Sequence, residues 1–424
     1  MSWPVSQDYN EAVQTPAACF ADADLRAALP VTNALGLPLP CSGNFADVYQ
    51  LHHPAAGARW AVKCFTRPVA GREERYDEVS RHLGRSNLPF TVDFVYLEQG
   101  IRLRGEWYPV VKMQWVEGLL LNQFVRDNLS RPVTLEKLLG LWARMARRLR
   151  EAGIAHGDLQ HGNVLLVPGS RTTKMAVKLI DYDGMFVPTL AGRPTDEVGH
   201  PAYQHPRRLR EGAYGPEVDR FPLLVVATAL RCLVTAGPGL WERHDTGDNL
   251  LFREADLRAP GESALFQELW HLPDPLAHVL VGRLALACQD PLDRAPLLSE
   301  LLAEDLLPVL SAEQQERAEA LLGSTGPLAD ALGSERAPSA GHTGRRPRRV
   351  SSGVVIVCAG VGLLLAALAV ALPIVWALTA APSASRRGVP SHSRREPGTN
   401  RTKPAPATAR EATPEPTDRD GPSP

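Results

Sequence analysis

Apolar and polar positions change their period along this chain. In the first third, VYQLHH and ARWAVKCF are short β-rich runs parted by PAAG, which predicts a hairpin. A helical stretch, REERYDEVSRHL, comes next, and TVDFVYLEQGI and WYPVVKMQWV then read as further strands. From about Leu119 the period is mostly helical, with TLEKLLGLWARMARRLREAG strongly amphipathic. The pattern predicts an α+β arrangement in which a small strand-rich lobe precedes a larger helical one.

A third regime begins at Gly353, from which the sequence runs to Ala381 without a charge. That length suits a hydrocarbon core of roughly 30 Å, so one transmembrane helix is expected there, kinked at Pro373. Residues from about Ser324 to Val350 are biased to Gly, Ser, Pro and Arg and read as a linker. After Ala381 the chain is rich in Pro, Ser, Thr and Arg, a composition that buries too little surface to offset chain entropy. The expected layout is 1–30 as an N-terminal extension, 31–118 as the strand-rich lobe and 119–310 as the helical lobe. Residues 311–352 follow as a helical end and flexible linker, 353–381 as the membrane span and 382–424 as a disordered tail.

Composition narrows the partners. The 424 residues are 44% hydrophobic, enough for a sizeable core, and the formal charge of -1 gives no electrostatic case for nucleic acid as a partner. The six cysteines are scattered, without CxxC pairs or zinc spacing, and read as reduced, mostly buried thiols. Acidic residues stand near the N-terminus where an export signal has a basic start and an apolar stretch, so export of the first 340 residues is not expected. Arginines flank the apolar span on both sides, at 345–349 and at 386–395, so their count does not orient it.

Several segments carry the residue types that phosphoryl transfer from ATP requires: a cover and a cation for the phosphates, oxygen ligands for magnesium, and a base near the acceptor. CSGNFADVY holds Gly43 in a turn, and Lys63 alternates out of the apolar strand WAVKCF in a chain with few lysines. IAHGDLQHGNVLLV offers Asp158 and Asn163, and VKLIDYDGM ends a strand in Asp181, with Asp183 just beyond.

In this order the segments resemble the protein kinase superfamily over roughly Leu35 to Leu310. CSGNFADVY resembles the glycine-rich loop, with Gly43 in the middle glycine position, and AVK resembles the VAIK motif. HGDLQHGN resembles the catalytic loop HRDLxxxN, and DYDG resembles DFG. GHPAYQHP at 199–206 is similar to the end of an activation segment, Asp219 matches the aspartate that opens the central apolar helix, and CQDPLDRAPLLSELL resembles the DPxxRP segment.

The resemblance implies a bilobal fold with ATP and magnesium at the lobe junction. It assigns Lys63 to the α and β phosphates and Glu74 or Glu78 to the orientation of that lysine. Asp158 would serve as base, and Asn163 and Asp181 as metal ligands, with Asp183 as the alternative to Asp181. Met113 would guard the adenine pocket, Val48 and Ala61 would sandwich the ring, and the backbone from Gln114 to Val116 would bond its edge. The departures are Cys41 and Ala46 for the outer glycines, Gly157 for the HRD arginine, Gln160 for the catalytic-loop lysine, and Arg207 for the APE glutamate. The implied activity is transfer of the γ phosphate to Ser or Thr of a protein substrate. The alternatives are a nucleotide-binding pseudokinase scaffold at the membrane and a small-molecule kinase. The expected topology has the catalytic region cytoplasmic and the tail outside, with pairing through the membrane helix as a route to a dimer.

Overall fold

A computed structural model describes residues 3–43, 45–168, 175–302 and 308–324. Among these, no helix is long and apolar enough to cross a membrane. The expected span 353–381, nearly all of the linker and the tail lie outside the described residues.

The first lobe is built on a sheet of six strands: β1 (Leu29–Pro30), β2 (Pro40–Ser42), β3 (Ala46–His52), β4 (Arg59–Phe65), β5 (Phe94–Leu103) and β6 (Glu106–Gln114). The order is β1-β3-β4-β6-β5, with β2 also paired to β3, and every pairing is antiparallel. Alternation in β4 sends Val62 and Cys64 into a buried outer layer and leaves Ala61 and Lys63 on the opposite face. Gly100 lies at the irregularity that bends β5, where an added Cβ would come within 2.4 Å of the Val110 side chain.

The outer face of the sheet is covered by α1 (Ser6–Val13), α2 (Pro16–Cys19) and α3 (Ala23–Arg26). Tyr9, Val13, Phe20 and Leu25 pack there against Leu51, Val62, Ile101 and Val110. The segment expected as an extension is thus a layer of the lobe itself. Beyond β4 comes α4 (Arg72–Ser86), whose buried side is Arg72, Tyr76, Val79 and Leu83.

The second lobe starts with β7 (Leu119–Leu120), α5 (Leu121–Asp127) and α6 (Pro132–Glu151). Strands β8 (Val164–Pro168) and β9 (Met175–Leu179) form a small sheet with β7 under the lobe junction. Then follow α7 (Pro206–Glu211) and α8 (Arg220–Ala236), the latter apolar nearly all round because it runs through the middle of the lobe. Helices Pro238–His244, Glu254–Arg258, Ala264–Trp270, Pro275–Gln289, Leu298–Leu301 and Ala312–Leu322 follow among the described residues. The bilobal α+β architecture read from the sequence is the one observed.

Candidate active site

Lys63 leaves β4 on the face turned to the lobe junction, in register with Val48 on β3 and Val111 on β6. Its Nζ lies 2.6 Å from Asp181 Oδ1 and 2.8 Å from Asp183 Oδ2. Burial opposes the ammonium charge, but the two carboxylates outweigh it and hold the lysine protonated beyond its usual range. Asp181 follows β9 directly and adopts φ 65, a left-handed conformation uncommon outside glycine. Asp183 is also desolvated, yet Lys63, the Tyr76 hydroxyl and Arg72 together keep it ionised below the usual aspartate range.

Neither expected glutamate reaches Lys63. Glu74 and Glu78 do share a face of α4, but apolar spacing turns the face of Tyr76, Val79 and Leu83 inward and theirs outward. Glu74 pairs with Arg193 at 2.8 Å, and Glu78 pairs with Arg81 at 2.5 Å. The inward residue beside the lysine site is Tyr76, whose hydroxyl donates to Asp183 Oδ1. The sequence reading missed it, although the spacing of Tyr76, Val79 and Leu83 carries the signal.

The catalytic-loop residues are held by a second network. Asp219 accepts the backbone N–H groups of His156 and Gly157, the latter at 2.9 Å. Gly157 has φ 82, and a Cβ there would sit 2.0 Å from the Gly184 carbonyl oxygen, so this backbone admits only glycine. Its own carbonyl accepts from Arg208 Nη1 at 2.7 Å, and that arginine is wholly buried on α7. The next residue, Asp158, accepts the His200 N–H at 2.7 Å on Oδ1 and Asn163 Nδ2 at 2.9 Å on Oδ2. Gln160 folds back to its own loop, its Oε1 accepting the Gly162 N–H at 3.1 Å.

The two networks meet where the Ile180 N–H donates to the Asn163 carbonyl at 3.1 Å. Tyr182 sits between them with its ring against Phe94 and His156, at centroid distances of 5.4 and 6.0 Å. Lys63, Asp158, Asn163, Asp181 and Asp183 therefore belong to one cleft. Glu197, which no sequence motif singles out, joins them from the segment before Gly199. Burial and the nearby Asp183 carboxylate push it up to about 7.

Where the adenine is expected, pairing sets Ala61 beside Met113 on the face that carries Lys63, and Val48 lies on that face too. The expected edge contact narrows, because the N–H groups of Gln114 and Trp115 already donate to the carbonyls of Asp93 and Arg59. Val116 N–H is the donor left in that stretch among the described residues. Gly43 is exposed, and a Cβ there would meet only the Ala46 carbonyl at 3.6 Å, so the turn does not require glycine sterically.

The family model for the protein kinase domain matches residues 41–254, half of the chain. The chain belongs to the protein kinase family. One curated relative, "Hormonally up-regulated neu tumor-associated kinase homolog A" of Xenopus laevis, is 24% identical over 187 residues. The match covers 42% of this chain and 25% of that protein, so it spans only about a quarter of the relative's length. A protein kinase domain implies ATP and, with it, magnesium. The donor set fits a hard cation, since Asp181 offers a half-exposed carboxylate and Asn163 keeps Oδ1 free of hydrogen bonds among the described residues. When bound, magnesium would neutralise phosphate charge at Asn163 and Asp181.

Proposed function

We propose that this protein transfers the γ phosphate of ATP to Ser or Thr hydroxyls of a protein substrate. The observation that carries the proposal is Asp158: both carboxylate oxygens are fixed, by His200 N–H and by Asn163, in the cleft that also holds Lys63. A base so oriented accepts the hydroxyl proton without first reorganising. Lys63 would hold the α and β phosphates, with Val48, Ala61, Met113 and Val116 around the adenine.

Gln160 favours a second reading, a nucleotide-binding pseudokinase scaffold. It stands where the family has a lysine, and its side chain is directed back to Gly162 and Asp158. The two readings part in one experiment. Full-length protein incubated with labelled ATP, magnesium and a generic protein substrate should transfer label, and Lys63→Met and Asp158→Asn should each abolish transfer with an unchanged melting curve. Binding without transfer supports the scaffold; full activity in either variant defeats the site assignment.

The need for ATP supports a cytosolic catalytic region. With the uncharged stretch 353–381 as a membrane anchor, the tail would lie outside and the helix would offer a route to pairing. Protease added to intact cells should then trim only the tail, and loss of the N-terminal domain would reverse the orientation.

A further inference from the structure

Two departures from the protein kinase pattern meet at one carboxylate. Helix α4 presents a phenol rather than a glutamate to the lysine site, and the magnesium-loop motif reads DYDG, with an acid at Asp183. Asp183 has both oxygens engaged, Oδ2 by Lys63 Nζ at 2.8 Å and Oδ1 by the Tyr76 hydroxyl. We propose that Asp183, positioned by Tyr76, anchors Lys63 in the place of the family's helix glutamate and leaves Asp181 to the metal. This inference rests on the ATP-binding reading of the cleft.

Exposure separates the two aspartates. The Asp183 side chain is 18% exposed and tucked under α4, whereas that of Asp181 is 41% exposed, with one oxygen on Lys63 and the other free of hydrogen bonds among the described residues. Tyr76 has little freedom to release Asp183: its ring stacks on Tyr96 at 5.5 Å and meets Phe94 edge-on at 5.5 Å. Charge points the same way. Lys63, the buried Arg72 and Arg67 face Asp181, Asp183 and Glu197, so a glutamate at position 76 would add a further carboxylate to a cluster that already holds three. The acid has moved from the helix to the loop, and a neutral donor on the helix holds it there. A shift of α4 would then reach the lysine through Asp183, by way of the phenol hydroxyl and the Arg72 charge.

The test is charge relocation in the full-length protein, read as ATP affinity without magnesium and as the magnesium concentration that half-saturates binding. Asp183→Gly should weaken metal-free ATP binding about tenfold, and Tyr76→Phe about threefold, with little change in the magnesium midpoint. Tyr76→Glu alone should also weaken binding, yet the double variant Tyr76→Glu/Asp183→Gly should return to within about threefold of wild type, because the acid stands again on the helix. Asp181→Asn should raise the magnesium midpoint about tenfold, and adding Tyr76→Glu should not restore that midpoint. A raised magnesium midpoint in Asp183→Gly with metal-free binding intact would make Asp183 a metal ligand and overturn the inference. Failure of the double variant to recover, while it melts like wild type, would overturn it as well. A wild-type protein that binds no ATP under either condition would sink the functional reading, and this one with it.

Discussion

Glu197 carries the site's clearest pH dependence. Its folded pKa of about 7 lies above the ordinary 4.5, so the folded protein binds this proton more tightly than the unfolded chain does. The sign follows: stability from this group is complete below about 4.5 and is lost as pH rises through about 7. Glu197→Gln removes the penalty of a buried charge and should raise the melting temperature of the nucleotide-free protein at pH 8 but hardly at pH 5, with a ceiling of about 3 kcal/mol. An equal shift at both pH values would mean that Glu197 is not the titrating group. Gly157 permits a second prediction at this scale. Gly157→Ala must place a Cβ 2.0 Å from the Gly184 carbonyl at φ 82, so it should destabilise the fold by about 3 kcal/mol or more and lower transfer activity. A variant that melts and works like wild type would show that the loop adopts another backbone.

The segment between Gly184 and Pro206 is held at the scale of elements. Arg193 pairs with Glu74, Arg75 donates to the Pro194 carbonyl at 2.6 Å and the Tyr214 hydroxyl at 2.8 Å, and Thr195 Oγ accepts the Glu197 N–H at 3.1 Å. In kinases with HRD, a phosphate on this segment meets the arginine beside the catalytic aspartate. Here Gly157 offers no cation, Arg208 lies buried on the Gly157 carbonyl, and Thr189 stands against Glu78. Phosphatase treatment and the Thr189→Ala/Thr195→Ala double variant should therefore leave the transfer rate within about threefold of wild type. A loss of about tenfold in both would show that a phosphate orders the segment. The elements themselves were legible because strand alternation and helical amphipathicity are local properties, and so was the order of Lys63, Asp158, Asn163 and Asp181. The partner of Lys63 was not legible, because Glu74 and Glu78 satisfy charge and spacing while the rotation of α4 is fixed by packing of Tyr76, Val79 and Leu83. Arg208 and Glu197 were hidden for a different reason: each gains its place from burial by residues distant in sequence.

At the scale of the molecule, the N-terminal helices connect stability to the site. Trp3 Nε1 and the Tyr9 hydroxyl both donate to the Phe65 carbonyl at 2.6 Å, two residues beyond Lys63 on the same strand. Lys112 on β6 is held from the same layer by Asp22 and Asp24 at 2.8 and 2.7 Å. Val62 and Cys64, which flank Lys63 and point away from the cleft, bury their side chains in the layer's core. Removing residues 3–28 would expose those side chains and delete Tyr9, Val13, Phe20 and Leu25, each buried side chain contributing about 1.5–3 kcal/mol. The sum approaches the whole stability of an ordinary domain, about 5–15 kcal/mol. The truncated chain should therefore fail to fold cooperatively and should bind no nucleotide. A milder change separates folding from function. Leu25→Ala, at a fully buried position in the layer, should cost about 2–5 kcal/mol and lower the melting temperature, while ATP affinity below the transition stays near wild type because every cleft residue is intact. A truncated protein that melts and binds ATP like the full chain would mean that the helices are an appendage, and the coupling through Phe65 would be lost with that outcome.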